Sequence, residues 1–222
     1  MWYGDMNRIR DNLSLLDTLT HERRSIRKYK PDKPPAEWID RMILCAIRAP
    51  SPSNSQPVRF IRIASEQKKD DLHKAMAAGR KDFLKALGDV SESGSLRKWI
   101  NAYYGFSEFI FNAPLLFAVG TITPTSGFSV KLVEAGILKT YNTRDSGLDI
   151  ALGLSLKGFL LKARELGLGT CVLTAPLIFV SDINQTRGID DVQIKCLVTA
   201  GFPDENPRMS RRKSVKDVYH EI

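Results

Sequence analysis

Apolar residues recur along the chain with the spacing of helices and of short strands. Steps of three and four residues predict a first amphipathic helix, whose apolar face is Met6, Ile9, Leu13, Leu16 and Leu19. A second helix is predicted to begin after Pro34 and Pro35, with an apolar face formed by Trp38, Ile39, Met42, Ile43, Ala46 and Ile47. It must end at Pro50, because Pro52 and Pro57 prevent its continuation.

Short apolar runs next to a glycine or a proline predict the strands. They cover residues 58–64, 115–119, 170–173 and 195–200. Residues 66–112 are predicted to be mostly helical, with breaks at Gly79, at Gly88 and around 91–94. Residues 121–136 are expected to form a loop or excursion, and another helix is expected near 176–186.

The longest clean periodicity predicts a helix over residues 145–166 that ends at Gly167. It is carried by Leu148, Leu152, Leu156, Phe159, Ala163 and Leu166. Its other faces are apolar too, and it contains Gly153 and Gly158, each of which costs roughly 1 kcal/mol against alanine. Such a helix packs on several neighbours, so it lies in the core, at a subunit interface, or both.

Runs of helices with separated single strands predict one α+β domain over residues 1–222, a small sheet surrounded by helices. The chain has 222 residues, 43% hydrophobic and 26% charged, so it is neither disordered nor fibrous. We expect neither a membrane span nor a signal peptide. Three cysteines without paired spacing, Cys45, Cys171 and Cys196, indicate reduced thiols and a cytoplasmic protein. No histidine or cysteine spacing indicates a metal site.

The net charge of +8 comes from 33 basic against 25 acidic residues, and much of the excess lies in residues 23–33 and 208–216. Such clusters are typical of surfaces that bind nucleic acid or acidic lipid. The second cluster, however, lacks interleaved aromatic residues, and no nucleic-acid recognition signature accompanies it. A basic nucleic-acid-binding module is therefore a remote alternative.

Two polar segments are candidates for ligand binding. In an extended strand, Arg23, Ser25 and Arg27 would share one side, and two guanidinium groups flanking a hydroxyl suit a phosphate. The alternative is a solvated basic loop. Residues 50–57, the polar loop, are stiffened by three prolines, and their uncharged side chains suit a neutral ring edge or a sugar chain better than a phosphate. A plain turn is the alternative there.

Four segments, in order, are similar to motifs of the flavin-dependent nitroreductase family. They are Arg-Arg-Ser-Ile-Arg at 23–27, Ala-Pro-Ser-Pro-Ser-Asn-Ser-Gln-Pro at 49–57, the central helix with its Ala-Arg-Glu-Leu-Gly-Leu-Gly-Thr exit at 163–170, and Gly-Phe-Pro at 201–203 with the arginines that follow. The resemblance spans about residues 17–219. The ending at 206–212 is closest to the branch that includes nitrobenzoate reductases. Val58 departs from the family, in which tryptophan commonly follows Gln-Pro.

The resemblance implies an FMN-dependent flavoprotein oxidoreductase with a small mixed sheet, forming an intertwined homodimer with FMN sites at the subunit interface. Such an enzyme takes a hydride from NADH or NADPH and reduces nitroaromatic or quinone-like acceptors by a ping-pong mechanism. Flavin destruction or reductive dehalogenation on the same fold are alternatives. Residues 80–141 match no motif and are expected to form a variable excursion or lid that sets substrate preference.

The resemblance also implies which residues bind the cofactor, while the chemistry itself belongs to the flavin N5 and needs no catalytic side chain. Arg23, Arg24 and Ser25 would hold the phosphate and ribityl chain together with Arg211 and Arg212. Arg27 would reach the polar edge of the isoalloxazine ring. From the polar loop of the partner subunit, the implied contacts are Pro50, Ser51, Pro52, Ser53, Asn54 and Gln56. Thr174 and Ala175 would place backbone groups near N5.

Overall fold

A four-stranded sheet with helices on both faces forms the framework of this computed structural model. The structure describes residues 14–88, 93–122, 128–137, 146–180, 183 and 191–222. The strands are β1 (Val58–Arg62), β2 (Leu115–Ile122), β3 (Gly169–Leu173) and β4 (Val192–Gly201), in the order β1-β2-β4-β3. The α-helices are α1 (Leu15–Glu22), α2 (Ala36–Ile47), α3 (Glu66–Ala86), α4 (Ser93–Ser107), α5 (Phe128–Glu134), α6 (Ser146–Glu165) and α7 (Ala175–Ile178). Short 3₁₀ turns cover Pro52–Asn54, Glu108–Asn112 and Val215–Asp217.

Two apolar layers, one on each face of the sheet, form the core. Side chains of β2 alternate between them, with Phe117 packed in the layer of α2 and α6 and Leu116 in the layer of α3 and α4. Residues 115–121 of β2 are all buried, which explains why this strand is a continuous apolar run rather than an alternating one. The α+β fold is thus confirmed, and none of the helices within the described residues combines the length and apolar character needed to cross a membrane.

The prediction of a mixed sheet is wrong, because every pairing between the four described strands is antiparallel. Two helices, α3 and α4, connect β1 to β2. Because the second helix brings the chain back to the end of the sheet where β1 finished, β2 runs in the opposite direction to β1. Accordingly, the Ile63 amide at the end of β1 donates to the Leu116 carbonyl at the start of β2. The one parallel contact recorded in the described chain is an isolated bridge between Ser25 and Thr170.

The predicted break at Gly79 is also wrong, since α3 runs through it without interruption. A Cβ atom at this position would lie 1.9 Å from the carbonyl oxygen of Phe179. Glycine is therefore present because the backbone after α7 approaches α3 closely, not because the helix ends. In α6, Gly158 plays the same part, since a Cβ there would lie 2.9 Å from the Cys45 carbonyl oxygen of α2.

The long helix is confirmed from residue 146 onward, and Gly167 with φ of 79° follows its end. Of the first predicted helix, Met6, Ile9 and Leu13 lie outside the described residues. Helix α1 begins after Ser14, which forms a capping box with Asp17 in its first turn. None of the residues of α1 is buried.

The loop predicted at 121–136 and the helix predicted near 176–186 both need correction. Residues 121–122 extend β2, because the sheet continues until the Ile122 amide reaches the Pro57 carbonyl, and 128–134 form α5 rather than a loop. Residues 123–127 lie outside the description. Of the helix expected near 176–186, the described part is Ala175–Ile178, which ends where Phe179 and Val180 turn into the core. Residues 181–182 and 184–186 are not described.

Candidate functional site

The basic segment at 23–30 lies along the β3 edge of the sheet. The Ile26 amide donates to the Thr170 carbonyl at 2.9 Å, and the Lys30 amide donates to the Phe202 carbonyl at 2.9 Å. Ile26 is buried, and a Cβ on Gly169 would lie 2.6 Å from its side chain, so glycine permits this close contact. The segment is therefore extended and fixed in register, as its alternating pattern predicts.

Arg23, Ser25 and Arg27 all lie near the Cys171 thiol of β3. Ser25 forms a bridge with Thr170, the residue before Cys171. Burial raises the pKa of Cys171, whereas Arg27, the Ser25 side chain and Arg23 act to lower it. The structure thus brings together the three residues that the sequence placed on one side of a strand.

Arg212 from the C-terminal segment joins this group. Burial, followed by the charges of Arg212 and Arg24, lowers the pKa of Arg23 below its ordinary value. Among the described residues, neither Arg23 nor Arg212 has a carboxylate within ion-pair distance. We call Arg23, Ser25, Arg27 and Arg212 the basic cradle. Neighbouring cations without a carboxylate between them form a suitable site for an anion.

Two other arginines of the predicted site are oriented differently. The Arg24 guanidinium donates to the carbonyls of His21 and Arg23, the latter at 2.8 Å, and so caps the end of α1. Arg211 is exposed, and its carbonyl accepts a hydrogen bond from Arg212 at 3.4 Å. Arg24 and Arg211 therefore lie next to the cradle, with Arg24 engaged by the backbone.

A cavity of about 400 Å³ opens beside the cradle. Arg27, Cys171, Thr174 and Ala175 line one side of it. The other side is an aromatic wall on α4, made of Trp99, Tyr103 and Phe106. These three side chains are 46–59% exposed, which is high for such large apolar groups. An apolar cavity with a few polar groups on one side is typical of a small-molecule site.

Arg27 connects the cradle with this cavity. Its guanidinium carbon lies 4.6 Å from the centre of the Phe106 ring, a cation–π contact. Its Nε atom is buried and has no hydrogen-bond partner within the described chain. Buried donors are rarely left without a partner, so this nitrogen is available to a ligand acceptor.

Sequence reasoning missed the aromatic wall and Glu205. The wall could have been found from its spacing, since positions 99, 103 and 106 lie on one face of a helix. One carboxylate oxygen of Glu205 accepts from the backbone amides of Arg27 at 2.5 Å and Lys28 at 3.1 Å. In addition, the Asp204 amide donates to the Lys28 carbonyl at 3.0 Å. The chain after β4 is thereby attached to the basic segment.

The polar loop lies elsewhere, at the β1 edge. Ser53, Asn54 and Gln56 have φ values of 51°, 54° and 46°, the left-handed region that non-glycine residues usually avoid. The Gln56 amide donates to the Ser51 hydroxyl at 2.9 Å, which closes the loop. Ser51, Ser55 and Gln56 line a second cavity of about 240 Å³, together with residues of α2, α6 and β1. Strained backbone of this kind is concentrated at functional sites.

The cradle and the polar loop lie at opposite corners of the sheet within one chain. Ala200 of β4 pairs with Thr170 of β3, which bridges Ser25 of the cradle. At the other end of β4, Val192 pairs with Ile122 of β2, whose amide donates to the Pro57 carbonyl of the polar loop. Ala200 and Val192 are about 26 Å apart along β4, and the outer strands are about 14 Å apart across the sheet. The structure therefore does not bring the two halves of the predicted site together in a single chain.

Similarity to known proteins agrees with these motifs. The Nitroreductase family model matches residues 20–202. The chain belongs to the nitroreductase family. Because the match extends from the basic segment to the residue after β4, it includes both corners of the sheet.

Curated relatives cover nearly the whole chain. The putative NAD(P)H nitroreductase YfhC of Bacillus subtilis is 26% identical over 94% of this chain and 95% of its own. An iodotyrosine deiodinase of Thermotoga neapolitana is 24% identical, covering 91% and 97%. A 4-nitrobenzoate reductase of Pseudomonas putida is 26% identical, covering 91% of both chains. Because these similar identities accompany different activities, they show the family and not one reaction.

Among solved structures, a BluB-like flavoprotein from Clostridium difficile 630 superposes with a TM-score of 0.76 at 25% identity, covering 95% of this chain and all of its own. The antiparallel sheet and surrounding helices are therefore the fold of the family. The nitroreductase fold expected from the sequence motifs is confirmed.

Proposed function

We propose that this nitroreductase-family protein is an FMN-dependent oxidoreductase. It would take a hydride from NADH or NADPH and reduce a nitroaromatic or quinone-like acceptor in the same cavity by a ping-pong mechanism. The observation that carries the proposal is the basic cradle, in which Arg23 and Arg212 have no carboxylate within ion-pair distance among the described residues and Arg27 lines the adjoining cavity. The relatives named as nitroreductases, and the flavoprotein with the same fold, support it.

The residues of the cradle fit the groups of FMN. A phosphate carries roughly two negative charges, which Arg23 and Arg212 can balance with help from the Ser25 hydroxyl. The buried Nε of Arg27 has no hydrogen-bond partner among the described residues, and it would donate to the polar edge of the ring. Thr174 and Ala175, which follow β3, line the same cavity, and their backbone groups would lie near the flavin N5.

When bound, FMN would supply the redox chemistry by accepting a hydride and passing two electrons to the acceptor. The chain contributes position and electrostatics. The aromatic wall would hold a flat acceptor and reduce its contact with water. The positive charge of Arg27 would stabilise negative charge on the adjacent ring edge, because opposite charges attract strongly where water is scarce.

We further propose a homodimer that joins the two corners of the sheet. Helices α2 and α6 leave apolar side chains uncovered, with Leu44 53%, Ile47 51% and Ile150 61% exposed. The second cavity, which borders the polar loop, lies against the same helices. A partner covering this face would bury the apolar side chains and carry its own polar loop toward the first chain's cradle. The three free cysteines suit a reducing, cytoplasmic setting.

Purification followed by an FMN titration tests both proposals. The protein should be yellow, release FMN on denaturation and sediment as a dimer, and apoprotein should recover the flavin spectrum when FMN is added. Stopped-flow mixing with NADH and with NADPH should bleach that spectrum, and nitroaromatics or quinones should restore it. A colourless protein that does not take up FMN would contradict the proposed function.

A specialised flavin reaction is the second candidate, favoured by the deiodinase and BluB-like relatives. These reactions would use the same cradle with a different acceptor. Two measurements separate them from simple acceptor reduction. Halide release from an iodinated aromatic compound would indicate dehalogenation, and loss of the flavin itself on exposing the reduced enzyme to oxygen would indicate flavin cleavage.

A further inference from the structure

We propose that the negative charge of Glu205 lowers the reduction potential of the bound flavin, in opposition to Arg27. This inference rests on the proposed FMN function. Glu205 lies outside the four sequence motifs, and its position next to Arg27 is known only from the fold. Its two backbone hydrogen bonds fix it there.

Geometry places the Glu205 carboxylate beside the residue that faces the cavity. It accepts from the backbone of Arg27, whose side chain lines that cavity. Glu205 is half-buried, so solvent screens its charge less than it screens the exposed carboxylate of Asp204. One carboxylate oxygen accepts from the two backbone amides, and these neutral donors bring no positive charge that would offset the carboxylate.

Cys171 lines the cavity and lies within the influence of both charges. Burial is the main cause that raises its pKa, Arg27 acts to lower it, and Glu205 makes a smaller contribution that raises it. The half-buried Tyr29 hydroxyl also has a raised pKa, with burial as the main cause and Glu205 as a smaller one. A ring lying against Cys171 would therefore experience both the positive charge of Arg27 and the negative charge of Glu205.

The sign of the effect follows from the electron count. Gain of a hydride adds two electrons and one proton to the ring, so the ring becomes more negative by one charge. A nearby carboxylate opposes that change and a nearby guanidinium favours it. Removing the charge of Glu205 should therefore make the flavin easier to reduce.

The Glu205→Gln variant isolates this charge, because the amide oxygen can still accept from both backbone amides. Its reduction potential is measured against a reference dye with each protein loaded with FMN. We expect the equilibrium between oxidised and reduced flavin to move toward the reduced form by tenfold or more, and tenfold equals about 30 mV for two electrons. Arg27→Gln should move it in the opposite direction.

Asp204→Asn is the matched control. Asp204 is the residue next to Glu205, and its side chain is exposed. Removing its charge should therefore move the equilibrium less than threefold. Equal shifts in the Glu205 and Asp204 variants, or no shift in either, would overturn the assignment. Loss of FMN binding in Glu205→Gln would overturn it too, because the carboxylate would then act through structure alone. A wild-type protein that binds no FMN would instead remove the proposed function on which it rests.

Discussion

The two edges of the sheet differ in charge and in how completely one chain forms them. At the β3 edge, the basic cradle is held by hydrogen bonds to β3, to Phe202 and to Glu205. At the β1 edge, the polar loop has no charged residue and is closed by its own Ser51–Gln56 bond, next to uncovered apolar side chains. The comparison suggests that a complete site takes its charged half from one chain and its neutral, strained half from another.

A charge placed in the proposed dimer interface, which would carry the polar loop of one chain to the cradle of the other, should have the largest effect. Ile150→Asp places a carboxylate on the uncovered face of α6. Burying that unpaired charge in an interface costs several kcal/mol, so dimerisation should weaken by roughly 100-fold or more, with loss of FMN. Sedimentation equilibrium and flavin absorbance measure both.

Ile178→Asp is the control for this change. Ile178 is 55% exposed, close to the 61% of Ile150, but lies on α7 at the opposite side of the sheet. It should leave the dimer intact. If Ile150→Asp also left the dimer and its FMN unchanged, the division of the site between two chains would be wrong.

The charged half is tested by two neighbouring arginines. Arg23→Ala removes a guanidinium of the cradle, and a charge-assisted hydrogen bond contributes about 1.5–3 kcal/mol, so FMN should bind roughly 10- to 100-fold more weakly. Arg24→Ala should weaken binding much less, because that side chain caps α1. Fluorescence titration of the apoproteins gives both affinities. Equal losses would mean that net charge matters and orientation does not.

Cys171 offers a smaller, chemical measure of the β3 edge. Only the thiolate is alkylated, and burial raises the pKa of Cys171. Its reaction with iodoacetamide should therefore keep accelerating with pH beyond about 8.5, where an ordinary thiol is already half ionised. Bound FMN should slow it further, by roughly tenfold by our expectation for a covered side chain. Peptide mass spectrometry follows each cysteine, and a rate unaffected by FMN would argue against a ring lying on Cys171.

The smallest effect concerns strain in the polar loop. Ser53 is left-handed, at a cost of about 1–2 kcal/mol, and glycine relieves it while losing about 0.5–1 kcal/mol through flexibility. Ser53→Gly should therefore change the free energy of unfolding by about 0 to +1.5 kcal/mol. Ser55→Gly, at an ordinary φ of −68°, should lower it by about 0.5–1 kcal/mol. Urea unfolding compares them, and an equal loss in both would show that the loop stores no strain.

Much of the fold was predictable because it depends on local patterns. The apolar periodicity identified α2 and α6, and the residue after Pro57 or Pro114 correctly marked the start of β1 or β2. The cradle was predictable too, since alternation along an extended segment decides that Arg23, Ser25 and Arg27 share a side.

What could not be predicted depends on distant partners. From the sequence alone, Gly79 predicts a helix break. Only the fold shows that glycine is needed there because the Phe179 carbonyl lies against the helix. Strand direction depends on how α3 and α4 return the chain, which no single run of residues encodes. Glu205 has no pattern of its own, because its role comes from a neighbour far away in sequence. The aromatic wall was overlooked for a different reason, since its spacing was visible but nothing indicated which face of α4 met a cavity.

The bond between Arg27 and Glu205 also bears on how the protein is made. Its two residues are 178 positions apart, so the second emerges from the ribosome long after the first. At roughly 5–20 residues per second, synthesis of that interval takes about 10–35 s. During this time the basic segment is exposed without its final anchor. Arg212 of the cradle is made later still, so the charged half of the proposed site is assembled only after this interval.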